Sequence, residues 1–184
     1  MALVLIKETG ACVAGANSYA DAADGDDYHD GHCYASAWTS ATTGQKEAAL
    51  VMATRLIDAY CEFGGSQVVA GQALQWPRFG CPDRDSALIG NPLRAWGIGL
   101  GCFDSSTIPS PLKCATCEQA RCLLVEDLTL PAAGAGLKSS AVANLKTVFD
   151  KTTAAPVLSR ITRRFLGKLG TVLGDGGGAR LIRA

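Results

Sequence analysis

Residues 43–62 read TGQKEAALVMATRLIDAYCE and predict the clearest helix of the chain. Apolar side chains recur there at spacings of three and four residues, which places them on one helical face: Ala49, Leu50, Ala53, Leu56, Ile57 and Tyr60. Gly64 and Gly65 follow and are expected to end the helix. The longest periodic segment of the sequence is therefore helical, which favours a mainly α fold.

Two further helices are predicted on either side of this segment. Ser18 with Asp21 three residues later resembles a capping box, so a first helix is expected over residues 18–28. Its acidic side chains crowd the exposed side: Asp21, Asp24, Asp26 and Asp27. Pro111 occupies the first helical position of another helix, which is predicted over residues 110–128.

The carboxyl-terminal part combines a basic helix with a glycine-rich tail. Pro156 opens this last helix. Its predicted apolar stripe contains Leu158, Ile161, Phe165, Leu166 and Leu169. Its cationic residues project elsewhere: Arg160, Arg163, Arg164 and Lys168. The glycines of residues 174–178 predict a flexible hinge, so we divide the chain into a helical domain, residues 1–170, and a flexible tail, residues 171–184.

Two stretches of the helical domain predict less regular structure. Residues 66–107 are rich in Gly, Pro and Asp and are interpreted as a long loop. This loop is expected to be pinned by Trp76, Pro77 and Trp96. Residues 131–155 are interpreted as an arm, in which the alternation around Val148 favours a short β hairpin, with a fourth helix as the alternative. Long ordered loops usually serve contacts.

Charge is distributed unevenly along a chain of zero net charge. Residues 1–150 carry ten Lys and Arg against sixteen Asp and Glu, whereas residues 151–184 carry seven against one. The asymmetry predicts a basic end that binds an acidic surface on a neighbouring copy or on another partner; a solvated basic end is the alternative. Zero net charge also lowers the barrier to self-association.

We expect neither export nor membrane anchoring. Residues 1–6 form a short apolar run before Lys7 and Glu8, shorter than a signal-peptide core or a membrane span requires. The eight cysteines are therefore interpreted as reduced thiols that pack like small hydrophobic side chains, without structural disulfides. They are Cys12, Cys33, Cys61, Cys81, Cys102, Cys114, Cys117 and Cys122.

The residues that could carry chemistry do not form a set that predicts an active site. Cys114 and Cys117 form one CxxC pair, but no second pair follows at zinc-finger spacing. His29, His32 and Cys33 have ligand chemistry at short spacing, and a helix end with incidental histidines is the preferred interpretation. The chain has no other histidine and no GxSxG serine. We therefore predict no enzyme, with no catalytic residue, cofactor or metal.

Several short motifs follow one another in a recognisable order. They are Ala16-Asn17-Ser18-Tyr19, Gln45-Lys46-Glu47-Ala48-Ala49-Leu50, Ala53-Thr54, Asp58-Ala59-Tyr60 and Gln72-Ala73-Leu74-Gln75-Trp76-Pro77-Arg78. Asp83-Arg84-Asp85, Ile108-Pro109, Ala115 and Glu118 continue the series. The series resembles a family of tailed-phage head-to-tail adaptors, also called connector or head-completion proteins, whose members are often labelled DnaT-like single-stranded-DNA-binding proteins. The resemblance covers about two thirds of the chain.

This resemblance implies a structural role in the virion. It implies a small helical bundle that assembles as a ring, expected to be dodecameric, beneath the portal. The implied partners are the portal protein, further copies of the chain and a connector or tail protein on the tail side. Genomic DNA would pass through the lumen without sequence-specific binding, and no membrane is involved. The implied location is the head-tail neck of the virion, after assembly in the host cytoplasm.

The resemblance also implies roles for residues of the tail, which are assigned by their position and chemistry. The portal-binding residues would be Arg180, Leu181, Ile182 and Arg183. The hinge residues would be Gly174, Gly176, Gly177 and Gly178. Candidates for contacts between subunits are Arg78, Asp83, Arg84, Arg160, Arg163 and Arg164. Arg78 is expected to pair with a carboxylate across a subunit boundary, whereas Trp76 is expected to pin its loop to its own domain.

The alternative function is that of a single-stranded-DNA-binding replication protein, similar to a primosome component. Such proteins combine a basic groove with aromatic side chains that stack on bases. The three tryptophans, Trp38, Trp76 and Trp96, lie away from the basic end of the sequence. The adaptor is therefore the preferred hypothesis.

Overall fold

A computed structural model describes residues 3–83, 101–130, 139–142, 145–148 and 156–173. The helices in this part are α1 (Ala22–Asp30), α2 (Ser36–Thr39), α3 (Thr43–Tyr60), α4 (Ser110–Val125) and α5 (Arg160–Leu166). The strands are β1 (Cys61–Phe63), β2 (Ser66–Gln67), β3 (Arg78–Phe79), β4 (Ser139–Val142), β5 (Leu145–Val148) and β6 (Gly170–Val172). They pair antiparallel as β1 with β6, β2 with β3 and β4 with β5. The prediction of a mainly α fold with a short β hairpin is confirmed.

Helices α3 and α4 form the centre of the molecule. Ala49, near the start of α3, shares an apolar cluster with Ala120, near the end of α4. Ile57, near the end of α3, shares another cluster with Leu112, near the start of α4. The two helices therefore run in opposite directions and bury the apolar face that the sequence periodicity predicted.

The start of α1 differs from the prediction. Asp21, rather than Ser18, is the N-cap, because the Asp24 backbone N–H donates to Asp21 Oδ1 at 2.9 Å. The Asp21 N–H donates in turn to Asp24 Oδ2 at 3.0 Å, which completes a capping box. The Ser18 hydroxyl instead donates to the Ala20 carbonyl at 2.6 Å, and it holds the segment before the helix.

Helix α5 is shorter than the predicted basic helix, and its apolar stripe is different. Ser159 caps it, since the Thr162 N–H donates to Ser159 Oγ at 3.1 Å. The inward face then contains Leu158, Thr162, Leu166 and Leu169. The prediction that Ile161 belongs to this face is wrong: Ile161 is 47% exposed. A buried threonine one residue later takes its place, because the face repeats every four residues from Leu158.

Strand β6 extends the described fold beyond the predicted domain boundary. Gly170 pairs with Phe63, and a Cβ atom at Gly170 would overlap the Glu62 carbonyl oxygen, so only glycine permits this approach. Thr171, which the sequence analysis assigned to the tail, lies within the strand. Leu173 closes the segment by donating its N–H to the Tyr60 carbonyl at 2.8 Å. Residues 174–184, with the predicted hinge and portal anchor, lie outside the described residues.

The predicted long loop contains a small paired element. In the first part of this loop, β2 and β3 pair with each other. The peptide bond between Trp76 and Pro77 is cis. Pro82 then pairs with Cys102 in an isolated bridge. Residues 84–100, with Arg84 and Trp96, lie outside the described residues. The β4–β5 hairpin lies in the predicted arm and replaces the alternative of a fourth helix.

Two buried tryptophans organise the core. Trp38 packs directly over Gly25, where a Cβ atom would overlap the indole ring. Trp76 lies edge-to-face between Phe63 and Phe103, with ring centroids 5.9 and 6.2 Å away. Trp76 thus pins its loop to its own domain, as the sequence analysis expected. Within the described part of the chain, no helix is both long and apolar enough to cross a membrane.

Candidate functional site

Three of the motifs that carry the family resemblance meet in one buried hydrogen-bond network. The Tyr19 hydroxyl donates to Asp58 Oδ1 at 2.5 Å and accepts from the Trp76 backbone N–H at 3.3 Å. The Gln75 N–H donates to Asp58 Oδ2 at 3.1 Å. The segment before α1, helix α3 and the loop before β3 are therefore joined at one carboxylate.

Burial governs the ionisation of this network. It raises the pKa of Asp58 to about 6, although the bonds from Tyr19 and Gln75 and the charge of Arg78 act in the opposite direction. Burial and the neighbouring carboxylate also raise the pKa of the Tyr19 hydroxyl well above its ordinary value. Tyr19 is buried within its own chain. This arrangement joins chain segments and does not expose the tyrosine to a substrate.

Arg78 bonds the chain to itself. Its Nε donates to the Gly64 carbonyl and its Nη2 to the Gly65 carbonyl, each at 2.8 Å. Its Nη1 donates to the Gln75 carbonyl at 3.2 Å and to Gln75 Oε1 at 3.1 Å. The guanidinium thus faces carbonyl oxygens of its own chain, and its predicted pairing with a carboxylate of another subunit stays a prediction.

Other motif residues have similar structural roles. Asn17 Oδ1 accepts from the Ile6 N–H and Asn17 Nδ2 donates to the Val4 carbonyl, both at 2.8 Å. Gln72 Nε2 donates at 2.9 Å to the carbonyls of Leu74 and Pro77. These buried and half-buried motif residues therefore hold the fold together, and the functional surfaces have to be sought among exposed residues.

The first such surface is basic and lies on α5 and the turn after it. We define the basic surface as Arg160, Ile161, Arg164 and Lys168, all of which are exposed. Residues 156–173 contain four basic residues and no acidic one. Among the described residues, Arg160, Arg163 and Arg164 have no acidic partner. The exposed isoleucine gives this cationic surface an apolar centre.

A second surface of opposite sign lies where α3 begins and α4 ends. We define the acidic end as Asp26, Glu47, Glu126 and Asp127. Asp26 pairs with Lys46 at 2.7 Å and accepts from Trp38 Nε1 at 2.8 Å, and these bonds lower the pKa of its carboxyl. Among the described residues, Glu47 and Glu126 have no cationic partner. The acidic end therefore has carboxylates available for a partner.

The two histidines lie where α1 meets α4. His29 Nε2 is 3.2 Å from the Cys117 carbonyl oxygen, and burial lowers the pKa of this imidazole. His32 Nε2 is 3.9 Å from the buried carboxylate of Glu118, which pairs with Arg121 at 2.6 Å. The described residues contain no group of three metal-ligating side chains. The Glu118–Arg121 pair was not predicted from the sequence, because its only signal is opposite charge at a spacing of three residues in a helix.

The remaining predicted contact residues occupy different positions. Asp83 is half-buried where the chain enters the bridge, and its backbone N–H donates to the Gly101 carbonyl at 2.6 Å. Arg163 is half-buried beside the basic surface. The structure thus brings Arg160, Arg163 and Arg164 together on one short helix, while Arg78 belongs to the loop.

Comparison with known sequences identifies a family. The family model described as "Putative DnaT-like ssDNA binding protein" matches residues 1–184. The chain belongs to this family. No curated protein matches the chain, and no solved structure matches it. Membership of the family that carries the DnaT-like label, which the sequence resemblance included, is therefore confirmed.

The family description directs attention to aromatic side chains that could stack on bases. Tyr19, Trp38 and Trp76 are buried and cannot do so without unfolding. Tyr34 and Phe79 are the aromatic side chains among the large exposed hydrophobic residues of the described part. Phe79 follows Arg78 in β3, and successive side chains of a strand point to opposite faces, so the exposed ring and the guanidinium face different sides of the strand.

Proposed function

We propose that the protein is a head-to-tail adaptor, a structural virion protein that forms a ring joining the portal to the tail and continuing the DNA channel. The observation that carries the proposal is the separation of Arg160 and Arg164 on the basic surface from Glu47 and Glu126 at the acidic end. These four residues have no partner of opposite charge among the described residues. A ring of identical subunits requires two different complementary patches on every copy. One copy of this chain has such a pair, and opposite charges help to orient the contact.

The order of the motifs also supports this proposal, because it resembles adaptor proteins of tailed phages. On this proposal the portal protein binds residues 180–183, and residues 174–178 act as the hinge. Copies of the chain meet through Arg160, Arg163 and Arg164. A connector or tail protein covers the opposite side of the ring, and DNA passes through the lumen without sequence-specific contacts. The protein is then assembled in the host cytoplasm and retained at the neck of the virion.

Binding to the portal tests the proposal. Purified protein is mixed with its portal and imaged by electron microscopy, together with a variant that lacks residues 179–184. We expect an additional ring on the portal with the full chain and none with the truncated chain. Circular dichroism should give the same helical signal for both proteins, since helices α1 to α5 lie before residue 174. Failure of the full chain to bind would contradict the adaptor role.

The second candidate is single-stranded-DNA binding, and the family description and the exposed Phe79 favour it. A salt titration separates the two functions, because neutralised phosphates release counterions and binding weakens steeply as salt rises. Anisotropy of a labelled oligothymidylate is measured at increasing salt with the wild type, Phe79→Ala and Arg164→Ala. Tight binding at low salt that both substitutions weaken would favour the DNA-binding function. An adaptor should show little affinity at any salt concentration.

A further inference from the structure

The β2–β3 element presents an apolar ridge to solvent. We define the ridge as Val68, Val69 and Phe79, whose exposed fractions are 43%, 50% and 69%. Arg78 fixes the position of β3, because its guanidinium donates to the Gly64 and Gly65 carbonyls. Val68 and Val69 follow β2 directly and Phe79 lies in β3, so three large apolar side chains are exposed on neighbouring segments, which is typical of a contact that another surface covers.

An apolar groove lies at the other end of the bundle. It is a cavity of about 310 Å³ between α3 and α4, open to solvent. Ala48, Met52, Leu123 and Leu124 line it, and Asp127 lies at its rim. A concave apolar surface of this kind accepts convex side chains of similar character.

The ridge cannot reach the groove of its own chain. The groove is lined by Ala48 near the start of α3, whereas the ridge follows β1, which begins at Cys61. Because a helix rises about 1.5 Å per residue, these positions are about 20 Å apart along the helix axis. The bonds of Asp58 to Tyr19 and Gln75 hold the loop at the far end. Among the residues that the structure describes, the ridge is therefore available only to the groove of another copy.

The ridge and the groove lie near charges of opposite sign. Lys168 lines a depression together with Gly64, and the Gly64 carbonyl accepts the Arg78 bond that fixes β3, so the basic surface begins near the β2–β3 element. Glu126 and Asp127 lie at the end of α4 beside the groove. One cationic residue, Lys168, therefore lies near the β2–β3 element, and carboxylates lie at the groove. A second copy of this chain offers the complementary surface in both charge and shape.

We propose that the ridge of one copy inserts into the α3–α4 groove of the next copy, with the basic surface facing the acidic end. This contact rests on the proposed ring and specifies how its subunits meet. Ridge and groove are different surfaces, so the contact is heterologous: every copy that gives its ridge to one neighbour keeps its groove for another. Repetition of one such contact extends the assembly beyond a dimer.

Two substitutions block the two halves of the contact separately. Ala48→Arg places a long side chain in the groove at an exposed helical position, where arginine is well tolerated. Val69→Asp places a charge on the ridge at an exposed loop position. Ala23→Arg in α1 and Val4→Asp near the start of the chain make the same changes at exposed positions elsewhere and serve as controls. Circular dichroism and urea unfolding establish that all four variants keep the fold.

Sedimentation velocity over a concentration series, up to the highest soluble concentration, tests the contact. We expect the wild type and both controls to form species larger than a dimer, and each blocked variant to stay monomeric. An equimolar mixture of Ala48→Arg and Val69→Asp retains one intact ridge and one intact groove, so it should form a dimer that does not grow. A monomeric wild type, blocked variants that associate like the wild type, or a mixture without dimers would overturn the inference.

The portal experiment keeps this inference distinct from the proposed function. If the wild type assembles through ridge and groove but does not bind the portal, the contact stands and the adaptor role fails. If the wild type binds the portal, and Ala48→Arg and Val69→Asp each complete the ring there, the adaptor role stands and the contact is overturned.

Discussion

The Tyr19–Asp58 network and the basic surface of α5 differ in what their sequences reveal. The network is assembled from short motifs that have a recognisable order, and each of its side chains bonds to its own chain. The basic surface has no motif, and Arg160 and Arg164 project to solvent without acidic partners among the described residues. The motif residues of the network maintain the fold, whereas the arginines of the basic surface have only charge and exposure to identify them.

The largest expected effect is the loss of the motif tryptophan. Trp76→Ala removes a fully buried ring from between Phe63 and Phe103 and should lower the free energy of unfolding by about 3–5 kcal/mol. Phe79→Ala, three residues later but exposed, should change it by less than about 0.5 kcal/mol. Urea unfolding measures both. Similar losses for the two variants would remove the distinction between a fold-maintaining motif and an exposed surface.

A smaller effect is expected when a methyl group is added under Trp38. Gly25→Ala should destabilise the protein by about 1–3 kcal/mol, because the new Cβ atom overlaps the indole ring. Gly44→Ala is the matched control, since Gly44 is also helical and its Cβ position has no atom within 4 Å. That substitution should stabilise the protein by up to about 1 kcal/mol. Equal shifts of the thermal midpoint for both variants would contradict the packing of Trp38 on Gly25.

The pH dependence of stability should report the burial of Asp58. Its folded-state pKa of about 6 lies above the ordinary value, so the fold binds this proton more tightly than the unfolded chain does. The corresponding stability is present below about pH 4, is lost as pH rises to about 6, and amounts to about 1–2 kcal/mol after allowance for solvent screening.

The variant Asp58→Asn isolates this contribution. The difference in unfolding free energy between wild type and variant should fall across the interval from about pH 4 to 6 and stay constant above it. Asp30→Asn, at an exposed position on α1, provides the control for a general charge effect. A wild-type profile parallel to that of Asp58→Asn would show that the carboxyl is solvated in the fold.

The smallest effect on stability is expected on α5. Arg160→Ala and Arg164→Ala should each change the free energy of unfolding by less than about 0.5 kcal/mol, because both side chains are exposed. The double variant should nevertheless weaken association of copies in sedimentation experiments, and more strongly at low salt, where charges are least screened. Unchanged association of the double variant would show that the basic surface takes no part in the proposed contact.

Much of the secondary structure was predictable because its signals are local. The periodicity of residues 43–62 predicted α3, and Pro111 predicted the start of α4. The predicted start of α1 at Ser18 was wrong, because two competing polar residues lie within one turn and Asp21 forms the capping box. The face of α5 was mispredicted for a related reason: an apolar pattern ranked Ile161 above Thr162, and only packing against the neighbouring helices selects between adjacent positions.

The candidate surfaces were predictable only in part. The basic character of residues 156–173 follows from composition, so Arg160, Arg163 and Arg164 could be proposed as contact residues from the sequence. Arg78 has the same chemistry, yet its donors bond to carbonyls fourteen and thirteen residues earlier in the chain. Charge in a sequence does not distinguish an arginine that is available to a partner from one that holds a loop, because that depends on which carbonyl groups the fold leaves nearby.

By itself, the amino-acid sequence determined where helices form, which end of the chain is basic and which residues mark the family, since these properties depend on neighbours within a few positions. Only the tertiary structure decided that Asp58 meets Tyr19, thirty-nine residues away, and that Gly170 lies against Glu62. It also decided that ridge and groove lie at opposite ends of α3. Such contacts depend on how whole helices pack, because the partners are brought together by burial of apolar surface rather than by a local pattern.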